Sequence, residues 1–209
     1  IKVVLTGEGG DELFAGYGRY RRLMRPWWMG GRPMRHKSIF EGSGVLREPA
    51  GYWNIPELIN TPHRSWTKLQ QAQATDCAGW LPNDLLIKLD RCLMAHGVEG
   101  RTPFLDLEVA NMAMRLPDRL KIRHNMGKYI LRKWLNKKLP EAKPMSPKKG
   151  FSVPVVEWIS KKAKLSGELV AAQPCIEEVA ITSRVRALFS SLDGNPTRKA
   201  GQMAWNLLF

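Results

Sequence analysis

Hydrophobic and polar positions change rhythm once along this chain, close to its start. Val3, Val4 and Leu5 form an unbroken apolar run, which predicts a short buried strand with no polar face, Lys2 to Thr6 at its widest. Gly7, Gly9 and Gly10 follow at once and permit a tight turn that a ligand can approach closely. Asp11 to Ala15 reads as a first helical turn, closed by Gly16 or Gly18. Residues 19 to 66 are rich in Arg, Gly, Pro and Trp, so short helices and loops are expected there. From Asp76 to Ala95 the rhythm becomes helical, with Leu85, Leu86, Leu89, Leu93 and Met94 on one stripe after a Pro-Asn-Asp entry. A loop from His96 to Phe104 leads to Asp106, an N-cap for a helix that ends before Pro117. Lys128 to Leu139 forms another helix, with Ile130, Leu131, Trp134, Leu135 and Leu139 on one side. Pro140, Pro144 and Pro147 punctuate a basic loop, Pro154 opens a further helix, and Asn195-Pro196 starts the last one. The pattern predicts a mainly α chain with one strand orphaned at its start.

Composition narrows the class. At 209 residues and 44% hydrophobic the chain can bury a real core, and no apolar run approaches the roughly 18 residues of a membrane span. It opens on Ile1 almost inside a strand, without an initiator Met or a signal-peptide cleavage region, so a piece of something longer is expected. That leaves the strand edge to pair with another chain, as in a homo-oligomer, or to be poorly ordered. Cys77, Cys92 and Cys175 lack metal spacing and read as reduced, mostly buried thiols of a cytoplasmic protein. His36, His63, His96 and His124 are scattered and form no zinc signature.

The net charge of +14 invites a nucleic-acid reading. It is clustered: Arg19, Arg21, Arg22, Arg25, Arg32, Arg35 and Lys37 have no acid among them. From Arg119 to Lys149 eleven basic residues stand against the single acid Glu141. Such patches serve a nucleotide, pyrophosphate or an acidic partner domain equally well. No recognised nucleic-acid module accompanies them, which argues against that class.

The chemistry concentrates in the first turn. Exposed amides at a helix start suit an anion, yet Glu8, Asp11 and Glu12 crowd three acids into it. Carboxylates and phosphate oxygens together hold Mg²⁺, so an acidic turn at a phosphate-friendly helix start fits a shared divalent cation. The plainer alternative is a strand-to-helix turn in which acids such as Glu8 merely cap the helix.

Three stretches then stand in order: Gly7-Glu8-Gly9-Gly10-Asp11-Glu12; LIKLDRCLMAHGVEGRTPFLD, Leu86 to Asp106; and GKYILRKWL followed by SPKKGFSVPVVEW. Together they resemble the C-terminal part of the synthetase domain of glutamine-hydrolysing asparagine synthetase, from Val3 to about Trp158. The resemblance implies an α/β ATP-pyrophosphatase fold, Rossmann-like with a parallel sheet between helices. The chain would then be a single, N-terminally incomplete domain: strand and acidic turn over 2–18, helical remainder over 19–209. It implies a ligase that uses ATP and Mg²⁺ to activate aspartate as β-aspartyl-AMP, which ammonia from a glutaminase domain then converts to asparagine. By that resemblance Thr6 and Gly7 lie against ATP, Glu8 serves acyl-adenylate formation or breakdown, and Asp11 helps hold Mg²⁺. Lys128 neutralises charge on the departing phosphate, and Lys148 contacts pyrophosphate.

Departures bound that reading. The family's Ser-Gly-Gly-x-Asp-Ser phosphate loop is absent from the 209 residues, as is the glutaminase domain's N-terminal cysteine. Leu93 and Gly100 also depart from the family's usual residues, which keeps open an adenylating ligase with another acceptor. A non-catalytic remnant acting as a binding module is the remaining alternative. From the residues alone, Asp90, Glu99, Arg101 and Asp106 read as structural, with Glu99 and Arg101 expected to form a buried ion pair.

Overall fold

The computed structural model describes residues 1–34, 38–48, 65–147, 154–194 and 196–208. The chain gathers into two compact units, Ile1–Arg35 with Asn54–Pro147, and His36–Trp53 with Lys148–Phe209.

The first unit opens with β1 (Val3–Leu5), which pairs in parallel with β2 (Glu99–Arg101). Val3 stands opposite Glu99, Val4 opposite Gly100 and Leu5 opposite Arg101. The strand is therefore not orphaned: its partner lies within the segment expected to be a loop. Nor is it buried on both faces. Leu89 and Leu93 lie over Gly100, covering the face that Val4 shares, while Val3 and Leu5 on the other face are 44% and 71% exposed. The Glu99–Arg101 ion pair, 2.9 Å long, is likewise exposed rather than buried. The parallel sheet has two strands among the described residues, so the chain is mainly helical with a small parallel pair.

Helices fill the connection between those strands and the chain beyond. The short α1 (Gly10–Leu13) and α2 (Gly18–Leu23) precede α3 (Lys68–Ala78), whose start is fixed by a reciprocal cap. There Thr67 Oγ1 accepts from Gln70 N while Gln70 Oε1 accepts from Thr67 N. The helical run expected from Asp76 thus begins earlier, and Pro82-Asn83-Asp84 lies in a widened π-helical stretch, Leu81–Leu86, before α4 (Ile87–Met94). Asp106 caps α5 (Leu107–Arg115) as expected, accepting from Glu108 N and Val109 N. A short α6 (Asp118–Lys121) precedes α7 (Tyr129–Lys138), and Arg132 Nη1 donates to Pro144 O and Ser146 O, tying the basic loop back onto that helix.

The apolar core of this unit forms around the end of α1. Leu13 and Phe14 meet Ala113 of α5, Ile130 and Leu131 of α7, and Phe104, whose ring stands edge-on to Phe14 at 5.7 Å. Ala15 and Tyr20 pack with Leu69 and Ala72 of α3. Cys92 and Cys175 are exposed and Cys77 partly buried, against the expectation of mostly buried thiols.

The second unit is a bundle of α8 (Val155–Ser160), α9 (Ala163–Ala171), α10 (Pro174–Val179), α11 (Thr182–Ser190) and α12 (Arg198–Leu208). Pro154 precedes α8, as read from the sequence. The backbone around Val45 straps onto this bundle, with Ile181 N donating to Val45 O and Arg47 N to Val179 O. Among the described residues no helix is long and apolar enough to cross a membrane.

Candidate functional site

The candidate site lies at the carboxyl end of the parallel pair. Thr6 N donates to Arg101 O at 2.8 Å, ending the ladder, and the chain then turns sharply through Gly7, Glu8 and Gly9. Gly9 is required by geometry: its φ is +81°, and a Cβ there would stand 2.2 Å from Leu105 Cδ2. Gly7 is exposed with open space around it, leaving its backbone approachable. Thr6 Oγ1 is buried without a hydrogen-bond partner in the protein.

Asp11 and Lys128 meet here. Lys128 Nζ lies 3.1 Å from Asp11 Oδ1, and both side chains are partly exposed. Two backbone features bring the lysine to this place. Its N–H donates to Phe14 O at 2.9 Å, and its φ of +55° puts it in the left-handed region just before α7. That conformation costs a non-glycine residue about 1–3 kcal/mol, so the surrounding contacts must impose it. Lys128 is thus the cap residue of α7 rather than a member of its first turn. A cation at a helix N-terminus opposes the dipole, and the Asp11 carboxylate supplies the compensating charge. Gly16 makes room for the pair: a Cβ on it would fall 1.7 Å from Asp11 Oδ1 and 2.6 Å from Lys128 Cε.

Glu8 is partly buried beside them. Burial, then the neighbouring Glu12 and Asp11 carboxylates, push its carboxyl above the usual range, while Lys128 and Lys88 pull the other way. It does not cap α1: the cap residue is Gly9, and no side chain bonds the helix start. No sequence signal beyond motif membership marks Lys88. It lies in the second motif, two residues before Asp90, pairs with Asp84 at 2.9 Å and acts on Glu8 electrostatically.

Glu12 departs from its two acidic neighbours. It is 1% exposed, and Tyr17 Oη donates to its Oε1 at 2.6 Å. Behind it lies a polar layer: Tyr20 Oη donates to Asp76 Oδ2, Arg19 Nε donates to the same oxygen, and the Arg19 guanidinium lies 4.3 Å over the Tyr17 ring. Of the turn's three acids, Glu8 and Asp11 therefore present their carboxylates near its open side. Among the described residues no group of three or more His, Cys, Asp or Glu side chains is gathered to hold a metal. A cation at Asp11 would take its other oxygens from phosphate and water, which is how Mg²⁺ is usually held.

Thr6, Gly7, Glu8, Asp11 and Lys128 thus come together, while Lys148 lies outside the described residues. The second unit has its own open cleft of about 470 Å³, lined by Arg184, Lys199 and Met203 among others, and among the described residues no predicted site residue lines it.

Comparison with known proteins identifies the family. The sequence pattern of the asparagine synthase family matches residues 1–209. Asparagine synthetase [glutamine-hydrolyzing] 1 of Bacillus subtilis is 29% identical over 203 residues, 78% of this chain and 32% of the relative. Asparagine synthetase B [glutamine-hydrolyzing] of Escherichia coli is 30% identical over 176 residues, 83% of this chain and 24% of the relative. A Mycobacterium tuberculosis protein, provisionally named a glutamine-hydrolyzing asparagine synthetase, is 32% identical over 200 residues, 76% of this chain and 31% of that protein. The chain spans about a third or less of the length of these relatives. No solved structure matches it. With three motifs in order and a family match from end to end, the chain belongs to the asparagine synthase family.

Proposed function

We propose that this chain supplies the carboxylate-and-lysine half of an ATP-dependent ligase that amidates aspartate. The observation that carries the reading is the contact between Asp11 of the first motif and Lys128 of the third, beside a partly buried Glu8. In this reaction the aspartate side-chain carboxylate attacks the α-phosphorus of ATP, pyrophosphate leaves, and ammonia then displaces AMP from β-aspartyl-AMP. Negative charge grows on the pyrophosphate side, where the fixed ammonium of Lys128 stabilises it. Thr6 and the open backbone at Gly7 border the nucleotide, and Glu8, held in a partly desolvated position, is suited to exchange a proton with the incoming amine. Asp11 is the residue here that would hold Mg²⁺, which neutralises phosphate charge when bound. Lys148 remains a proposed pyrophosphate contact. Ammonia is drawn from a glutaminase domain, as the names of the relatives suggest.

The isolated 209-residue chain lacks the phosphate-cradling loop and is proposed to bind ATP weakly and salt-sensitively, as a basic surface does. The deciding experiment uses the protein expressed from its complete reading frame. Glu8→Gln abolishes asparagine formation there with little change in melting temperature, because the residue sits on a loop. A large fall in melting temperature with activity retained would overturn the reading.

A further inference from the structure

The four residues of α1 are too few to sustain a helix alone, yet this helix carries Asp11 and directly follows Glu8. Its end is accounted for carbonyl by carbonyl. Asp11 O accepts from Gly16 N at 2.8 Å, and Phe14 O accepts from Lys128 N at 2.9 Å. Between them, Glu12 O and Leu13 O both accept from a single side-chain nitrogen, Gln73 Nε2 of α3, at 2.5 and 2.7 Å. Gln73 is fully buried. On its other side, Oε1 accepts from Lys121 Nζ at 2.8 Å, and Lys121 is fully buried as well. An ammonium donates and cannot accept, so the amide oxygen must face Lys121 and the NH₂ must face the two carbonyls. Gln73 thus joins the acidic turn to a helix whose own start is firmly capped.

We propose that Gln73, oriented by Lys121, is the positioning residue that fixes α1 and so sets where Glu8 and Asp11 stand. Its catalytic consequence rests on the function proposed above; its structural consequence rests on these hydrogen bonds alone. Replacing the amide by a carboxylate separates the two halves of the role. Gln73→Glu keeps the shape and the Lys121 contact but turns an oxygen, with no proton to give, toward both carbonyls. Lys121→Met removes the group that orients the amide while leaving its donors in place.

The test compares Gln73→Glu, Gln73→Leu and Lys121→Met in the protein from the complete reading frame, with two readouts. The first is amide hydrogen exchange: Leu13 and Gly16 lose protection in both Gln73 variants, while the amides of α5 keep theirs. The second is kinetics: kcat for asparagine formation falls about 10²-fold in Gln73→Glu, the scale of a small misplacement of reacting groups, while KM for ATP changes far less. Lys121→Met falls between the unaltered protein and Gln73→Glu in both. Unchanged exchange at Leu13 and Gly16 would overturn the proposal, as would a lowered melting temperature with full kcat per folded molecule. If the unaltered protein forms no asparagine, the proposed function fails, and the exchange measurement still decides whether Gln73 holds the turn.

Discussion

In the second unit Val170, Val185, Phe189, Leu192 and Met203 close on one another, and Gly167 of α9 lets the Phe189 side chain of α11 come within van der Waals reach of its backbone. In the first unit the buried side chains include Glu12, Gln73, Asp76 and Lys121, and these are the buried charged and polar side chains among the described residues. The contrast is one of purpose. An apolar core gains stability from every ångström of area removed from water. A buried acid or ammonium must first lose its hydration, and pairing recovers that cost only in good geometry. What the polar interior provides is fixed position: donors and acceptors tolerate far less displacement than methyl groups do. The unit that holds the acidic turn is the one with the polar interior.

The largest expected effect breaks the apolar side of this contrast. Phe189→Ala empties a fully buried ring site among Val185, Leu192 and the helix at Gly167. Truncation of a core phenylalanine costs about 3–5 kcal/mol through lost transfer energy and the cavity left behind. Amide exchange should show α9 and α11 losing protection by the corresponding factor. Unaltered exchange in those helices would mean that the site collapses around the smaller side chain.

A comparable energy appears as rate rather than stability on the other side. Lys128→Ala removes a partly exposed ammonium from Asp11, and such pairs contribute about 0–1 kcal/mol to folding. In the protein from the complete reading frame the same change should slow adenylation by about 10²–10³, the usual consequence of losing one charge-stabilising contact in the transition state. Pyrophosphate exchange measures that step directly. A fall in melting temperature with adenylation intact would reassign Lys128 to the folding of α7.

The sequence showed the part of this division that local chemistry controls. Asp106 and Pro154 stand at helix starts because a side-chain acceptor and a missing N–H suit those positions in any context. The leucine stripe of α4 follows from period alone. Glu8, Asp11 and Lys128 were reached through motif order, and the structure places them together. By contrast, Glu99-Gly100-Arg101 has no apolar alternation and is a strand because β1 is there to pair with it. No motif or period in the sequence marks Gln73 or Lys121, since nothing in a local pattern reports that polar carbonyls lie opposite. Long-range hydrogen bonds of this kind become visible only after folding. Pro82 similarly reads as a helix entry, although the chain carries it inside a widened turn.

The smallest expected effect tests the charge in the polar interior itself. Burial pulls the Lys121 ammonium down to about 8 from its ordinary 10.5, with Asp118 and Cys77 opposing the shift. Below pH 8 both folded and unfolded chains carry this proton, and the full cost of burying the charge is present. Between about pH 8 and 10.5 the unfolded chain still binds a proton that the folded chain has released, so this group makes stability rise with pH. Cys77, pushed up to about 12 mainly by burial, acts in the opposite sense above pH 9, and the raised Tyr17 and Tyr20 hydroxyls do so at higher pH still. The informative quantity is therefore the difference between the unaltered chain and Lys121→Met, in which those neighbours cancel. Urea unfolding at pH 7.5 and pH 10 should show that difference shifting in favour of the unaltered chain, by on the order of 1–3 kcal/mol. A difference independent of pH would mean that Lys121 keeps its proton throughout, compensated by Gln73 and Asp118.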